Sequence, residues 1–136
     1  ETALSPQEVL VAVELPPPPA RSRHFFQEFA RRHGDYAIVG LAAQAIVKDG
    51  QFAEIRLGFF AVGDRPLLAK SADRLIDVTV TPAVLSEASS SLGEELDPPE
   101  DQQATPAMRR HLAKVLLARG VSSLLSRPDL GVGAAA

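Results

Sequence analysis

The sequence predicts an α+β domain, an antiparallel sheet of three to four strands followed by three helices packed on one face. Three observations carry this reading. Apolar residues alternate with period two through the first half of the chain. After Gly63 the period changes to 3.6. The two patterns are segregated along the chain rather than interleaved, and no internal repeat is present.

The first predicted strand is Val9 to Leu15. Val9, Val11, Val13 and Leu15 share one face, and Glu8, Leu10, Ala12 and Glu14 share the other. Prolines 16–19 end it, because each removes a backbone donor and fixes φ, leaving a stiff connector. Residues 24–29 read as the second strand, with Phe25, Gln27 and Phe29 on one side and His24, Phe26 and Glu28 on the other. Tyr36 to Val47 is a longer strand whose face of Ala37, Val39, Leu41, Ala43, Ala45 and Val47 is wholly apolar. Asp49-Gly50 then gives a strong hairpin signal. Phe52 to Val62 returns, with Ala53, Ile55, Leu57, Phe59 and Ala61 on the core side. Small residues mixed with large ones there predict helices lying close to the sheet.

The helical half begins with a short helix around Pro66 to Leu75. Thr81-Pro82 and Thr105-Pro106 then repeat one device, a threonine N-cap with proline at the first helical position. They predict helices near 82–96 and 106–125, the last with an apolar stripe of Met108, Leu112, Val115, Leu116 and Leu124. Asp97 to Thr105 is polar and contains prolines, hence a loop.

A chain of 136 residues suggests one domain, read here as 1–130, with 131–136 a poorly ordered small-residue tail. The opening Glu1-Thr2-Ala3-Leu4 has no methionine and no signal-peptide character, which suggests a piece of a longer protein. There is no cysteine, so this chain cannot hold a disulfide, a cysteine-bound zinc or an iron–sulfur cluster. That composition fits a cytoplasmic protein. The net charge of −3 gives no global field for nucleic acid, and no apolar run is long enough to cross a membrane.

Most catalytic constellations are missing. His24, His33 and His111 lack metal-ligand spacing, and a His33–Asp35 pair would have no serine in a GxSxG setting to activate. Ser89 to Ser91 reads as helix filler. Neither GxGxxG nor GxxxxGKS occurs, so the chain supplies no dinucleotide cradle by itself. Arg21, Arg23, Arg31 and Arg32 form a basic cluster beside three phenylalanines. They can meet an anion, or they can solvate a sheet edge and pair with Glu28 and Asp35. The informative oddity is Leu10 and Phe26, apolar residues on the polar faces of their strands. Such a pair marks either a surface covered by another domain or the resting place of a flat apolar ligand, and both hold at a domain junction.

Three segments carry a resemblance. TALSPQEVLVAVELP (2–16) and FFQEFARRHGDYAIVGLAA (25–43) are similar to the C-terminal domain of the flavin-binding subunits of molybdenum hydroxylases. This is the family of the carbon monoxide dehydrogenase medium subunit and the xanthine dehydrogenase FAD subunit. LDPPEDQQATPAMRRHLAKVLLARGV (96–121) resembles that family's ending. The resemblance implies a fold of three or four antiparallel strands and then three helices, with an N-terminal FAD-binding domain that is absent from this chain. It implies FAD in the intact subunit, molybdopterin on a large partner subunit and [2Fe–2S] clusters on a small one. Electrons then run from the molybdopterin centre through the clusters to FAD and an external acceptor. The resemblance places Leu10 and Phe26 beside the isoalloxazine ring, and Gln27, Arg31 and Asp35 complete the expected cofactor-binding set, Asp35 at the position where the next strand begins. The Asp35 carboxylate is expected to fix the local turn and pair with an arginine, and no catalytic acid or base is expected. One departure stands out. Some relatives carry a lysine at the position of Gln27, and many bacterial members carry one at that of Glu28, where a cation favours the anionic reduced flavin; Arg31 or Arg32 can substitute. The isolated fragment is expected to be inactive and not to hold FAD tightly. The alternative is a non-enzymatic protein-interaction domain on the same scaffold.

Overall fold

A computed structural model describes residues 3–32 and 34–126, so the expected tail at 131–136 and His33 lie outside the described residues. Strands β1 (Arg23–Phe29), β2 (Val39–Lys48), β3 (Gln51–Phe60) and β4 (Leu67–Leu68) form one antiparallel sheet in the order β1-β2-β3-β4. A 3-10 turn at Lys70–Leu75 and helices α1 (Pro82–Glu95) and α2 (Pro106–Ser126) follow. The expected fold class is therefore the observed one.

The turn between β2 and β3 is local chemistry. Asp49 and Gly50 both have positive φ, 51° and 77°, the conformation a two-residue hairpin turn requires. Just beyond it the register slips, with Ile46 opposite Glu54 but Val47 opposite Phe52, so Ala53 is an extra residue. The bulge corrects the expected alternation. It turns Phe52 into the core at 0% exposure, leaving Ala53 half-buried.

Both helix starts use the expected cap. The Thr81 hydroxyl accepts from the Val84 N–H at 3.3 Å, and the Thr105 hydroxyl accepts from the Met108 N–H at 3.2 Å. The α2 stripe differs from expectation at its start. Met108 is 50% exposed, and the inward line is Arg109, Ala113, Leu116, Leu117, Gly120, Val121 and Leu124. α2 lies across β1, β2 and β3, while α1 packs on the 3-10 turn and on α2. Gly120 marks the closest approach, since a Cβ there would sit 3.0 Å from Leu41 Cδ2 and 3.2 Å from Phe25 Cδ1. Glycine costs a helix about 1 kcal/mol, offset here by contact with the sheet. Phe52, Leu41, Leu57, Phe59, Leu116, Leu117 and Leu124 are all fully buried between sheet and helices. Each such side chain contributes about 1.5–3 kcal/mol by leaving water.

Two further expectations are corrected. The helix predicted at 66–75 is instead β4 followed by the 3-10 turn. Ala69 N–H donates to the Leu57 carbonyl and Asp77 N–H to that of Phe52, both at 2.9 Å, so β3 holds this segment at its edge. Both Glu95 carboxylate oxygens, at the end of α1, accept from the N–H groups of Lys70 and Ser71 at 2.7 Å and cap that turn from outside. The strand predicted at Val9–Leu15 does not form. No strand among the described residues pairs with it, and Val9, Val11, Val13 and Leu15 are 68–93% exposed. Its alternation is present, but a strand needs a neighbouring edge to satisfy its backbone groups.

Candidate functional site

The sheet has two unlike faces. Helices cover one, through Phe25 and Phe29 of β1 and the apolar sides of β2 and β3. The other face reads, row by row across the strands, Glu28–Gly40–Phe60, then Phe26–Ala42–Gly58–Leu68, then His24–Gln44–Arg56. Its second row has no side chain larger than a methyl between Phe26 and Leu68. The outcome is an apolar floor in the row that runs from Phe26 to Leu68. A shallow depression of about 430 Å³ lies over it, bounded by Ala42, Gly58, Leu68, His24, Gln44 and Arg56.

Phe26 is 66% exposed and Leu68 is 65% exposed on this face. Phe26 stacks on Phe60, with ring centroids 5.8 Å apart and planes 17° apart. The two belong to strands that flank β2, so the Phe60 ring crosses β2 over Gly40. A Cβ on Gly40 would overlap that ring at Cζ, Cε1 and Cε2. Beside the floor, in the next row, Gln44 and Ser22 contact the His24 ring at 3.1 and 3.3 Å.

The five residues anticipated at a cofactor are not one cluster. Leu10 is 63% exposed on the extended segment before the prolines. Phe26 stands on the open face. Gln27 alternates to the helix-covered face, between Phe25 and Phe29 and opposite Leu41. Arg31 and Asp35 are exposed in the β1–β2 connection, where Asp35 N–H donates to the Arg32 carbonyl at 3.2 Å.

One arginine of the basic cluster serves the fold. Arg23 Nη1 donates to the carbonyls of Leu124 and Leu125 at 2.7 and 3.1 Å, which satisfies the C-terminal end of α2. A second structural arginine, Arg109, is only 3% exposed. Its Nη1 donates to the carbonyls of Ile38 and of Ala61, the latter at 3.0 Å, and its Nη2 pairs with the Asp101 carboxylate at 2.6 Å. This guanidinium joins the start of β2, the end of β3 and the acidic loop. The Asp101 carboxyl is held below the ordinary aspartate value of 3.8, first by the N–H groups of Gln103 and Ala104, then by Arg109.

Among the described residues no group of histidine and carboxylate side chains is placed to hold a metal ion, and no helix is long and apolar enough to cross a membrane. The open face of the sheet is a flat apolar surface around Ala42 and Gly58.

Residues 24–124 match the model of the CO dehydrogenase flavoprotein C-terminal domain. The chain belongs to this family. The match begins at β1, so it leaves out the extended segment and the prolines. Relatives of the CO dehydrogenase flavoprotein family include the carbon monoxide dehydrogenase medium chain of Afipia carboxidovorans, 28% identical over 127 residues. The putative xanthine dehydrogenase FAD-binding subunit of Escherichia coli is 27% identical over 131 residues. Each match takes in 93% of this chain but 44% of the relative. Among solved structures, the reconstituted CO dehydrogenase from Oligotropha carboxidovorans superposes with a TM-score of 0.86 at 26% identity, covering 94% of this chain and 45% of that one. The chain therefore spans less than half the length of the proteins it matches.

Sequence reasoning missed Phe60, Leu68 and the Ala42–Gly58 floor. The signal was present, since Gly40, Ala42, Gly58 and Phe60 all fall on the non-core phase of their strands. Read as a set, small residues beside one aromatic describe a bare shelf rather than a solvated face.

Proposed function

We propose that this chain is the C-terminal domain of an FAD subunit in a molybdenum-containing dehydrogenase, where its open sheet face forms one wall of the flavin site. The observation that carries the reading is Phe26, an exposed aromatic beside a floor of Ala42 and Gly58, in a chain of this family. The floor suits a planar ring, because flat aromatic systems pack against apolar and aromatic walls. The phosphate end of the cofactor finds no glycine-rich loop in this sequence, so most of its contacts belong to the preceding domain.

Within this reading Phe26 contacts the ring, and Leu10 covers it from the segment that leads in from that domain. Arg31 supplies a positive charge near the ring, and Asp35 holds the connection that presents Arg31. Gln27 acts through the β1 backbone, its side chain lying on the other face. Held against Phe26 and Leu10, an FAD would supply electron transfer between a molybdopterin subunit, reached through the [2Fe–2S] clusters of a second partner, and an external acceptor. The protein's part is position and electrostatics, and no side chain of this chain moves a proton in the reaction.

The test is a structure of the intact subunit with FAD. Phe26 in van der Waals contact with the isoalloxazine ring is expected. A ring lying elsewhere, with Phe26 covered by protein alone, favours the interaction-domain reading and refutes the flavin one. Titration of the 136-residue chain with FAD gives a second check, and sub-micromolar affinity would contradict the division of contacts described above.

A further inference from the structure

We propose that Phe60 is a positioning residue for the flavin wall, holding Phe26 clear of the Ala42–Gly58 floor through a notch that only glycine at position 40 provides. The inference rests on the flavin reading above, and goes beyond it by naming what sets the shape of the seat.

The geometry carries it. Phe26 is directly opposite Ala42, and Ala42 is opposite Gly58. The Ala42–Gly58 floor is therefore the surface beside Phe26 in its own row. The Phe26 ring instead stacks on Phe60, which sits one row further along, opposite Gly40. The stack therefore draws Phe26 diagonally, away from Ala42 and Gly58. The depression over that floor is bounded by Ala42, Gly58 and Leu68, not by Phe26 or Phe60. Phe60 can make the crossing only because position 40 has no Cβ, since one would overlap its ring at three atoms. Gly40 has no other evident need. It sits inside β2, it is not among the positive-φ residues, and glycine weakens a strand interior.

The consequence is a pre-ordered wall. An exposed phenylalanine has several rotamers, and a ligand that needs one of them must order the ring on binding. The stack makes that selection beforehand. Loss of the Phe60 ring should weaken flavin binding by about threefold to tenfold, the range of one aromatic pair.

The experiment uses the intact flavin-loaded subunit with Phe26→Ala, Phe60→Leu and the double variant. The dissociation constant and the visible absorption and circular dichroism of bound flavin are read in each. Both single variants are expected to weaken binding and to alter the flavin spectrum. The double variant is expected to be no worse than Phe26→Ala, because Phe60 acts through Phe26. Gly40→Ala is a second route, expected to reproduce the Phe60→Leu spectrum with Phe60 still present. Phe60→Leu without spectral change, while Phe26→Ala changes it, overturns this inference and leaves the flavin reading standing. Additive losses in the double variant also overturn it. No change with Phe26→Ala overturns both.

Discussion

Alternate residues of the same strands build the two faces of this sheet, and the faces have opposite fates. On the inner face Leu41, Leu57 and Phe59 are at 0% exposure, sealed by α2. On the outer face Phe26 is 66% exposed in the adjacent register row. Periodicity cannot tell these positions apart by chemistry, because phenylalanine appears on both. What separates them is whether the chain supplies its own cover. The inner face explains why the domain folds, and the outer face is where the proposed flavin contact lies.

The largest expected effect breaks that contrast at its strongest point. Phe59→Ala should cost about 4 kcal/mol in denaturant unfolding of the 136-residue chain, through lost burial and a cavity. Phe26→Ala in the same chain should cost under about 1 kcal/mol, since only the stack with Phe60 is lost. Equal costs would show that the outer face is part of the core. Next comes the clamp that holds the ends of β2 and β3 to the acidic loop. Arg109→Ala should cost about 3 kcal/mol, because it leaves the carbonyls of Ile38 and Ala61 without their donor in a part-buried setting. A cost below about 1 kcal/mol would mean that water takes its place.

The smallest effect concerns the same clamp in acid. The folded state favours ionised Asp101, so its contribution is complete above the ordinary value of 3.8 and disappears as pH falls through the lower folded value. Stability of Asp101→Asn should therefore change less between neutral and strongly acid pH than that of the parent chain. A parallel acid profile for the two would place the acid-sensitive group elsewhere.

How much of this was legible in the sequence follows from the range of the interactions. The hairpin, both helix starts and the strand–helix order rest on residues within four positions of one another, and the structure shows all of them. The extended segment was misread because alternation records a strand's faces but not whether an edge lies beside it. Phe52 was missed because a one-residue bulge is a property of two strands together. Arg109 was missed because its partners, Ile38 and Ala61, are 71 and 48 residues away. The candidate site was half-legible. Phe26 was visible as an aromatic on the wrong face. The floor was harder to read, because the small residues Ala42 and Gly58 form one only when the pairing of β2 with β3 sets them side by side.

The account turns on the outer face being open in this chain and covered by flavin in the larger subunit. Hydroxyl-radical footprinting, with mass spectrometry at Phe26, measures that in both settings. Phe26 should be labelled readily in the 136-residue chain, labelled in the intact subunit stripped of FAD, and protected when FAD is restored. Equal labelling with and without FAD would contradict the account.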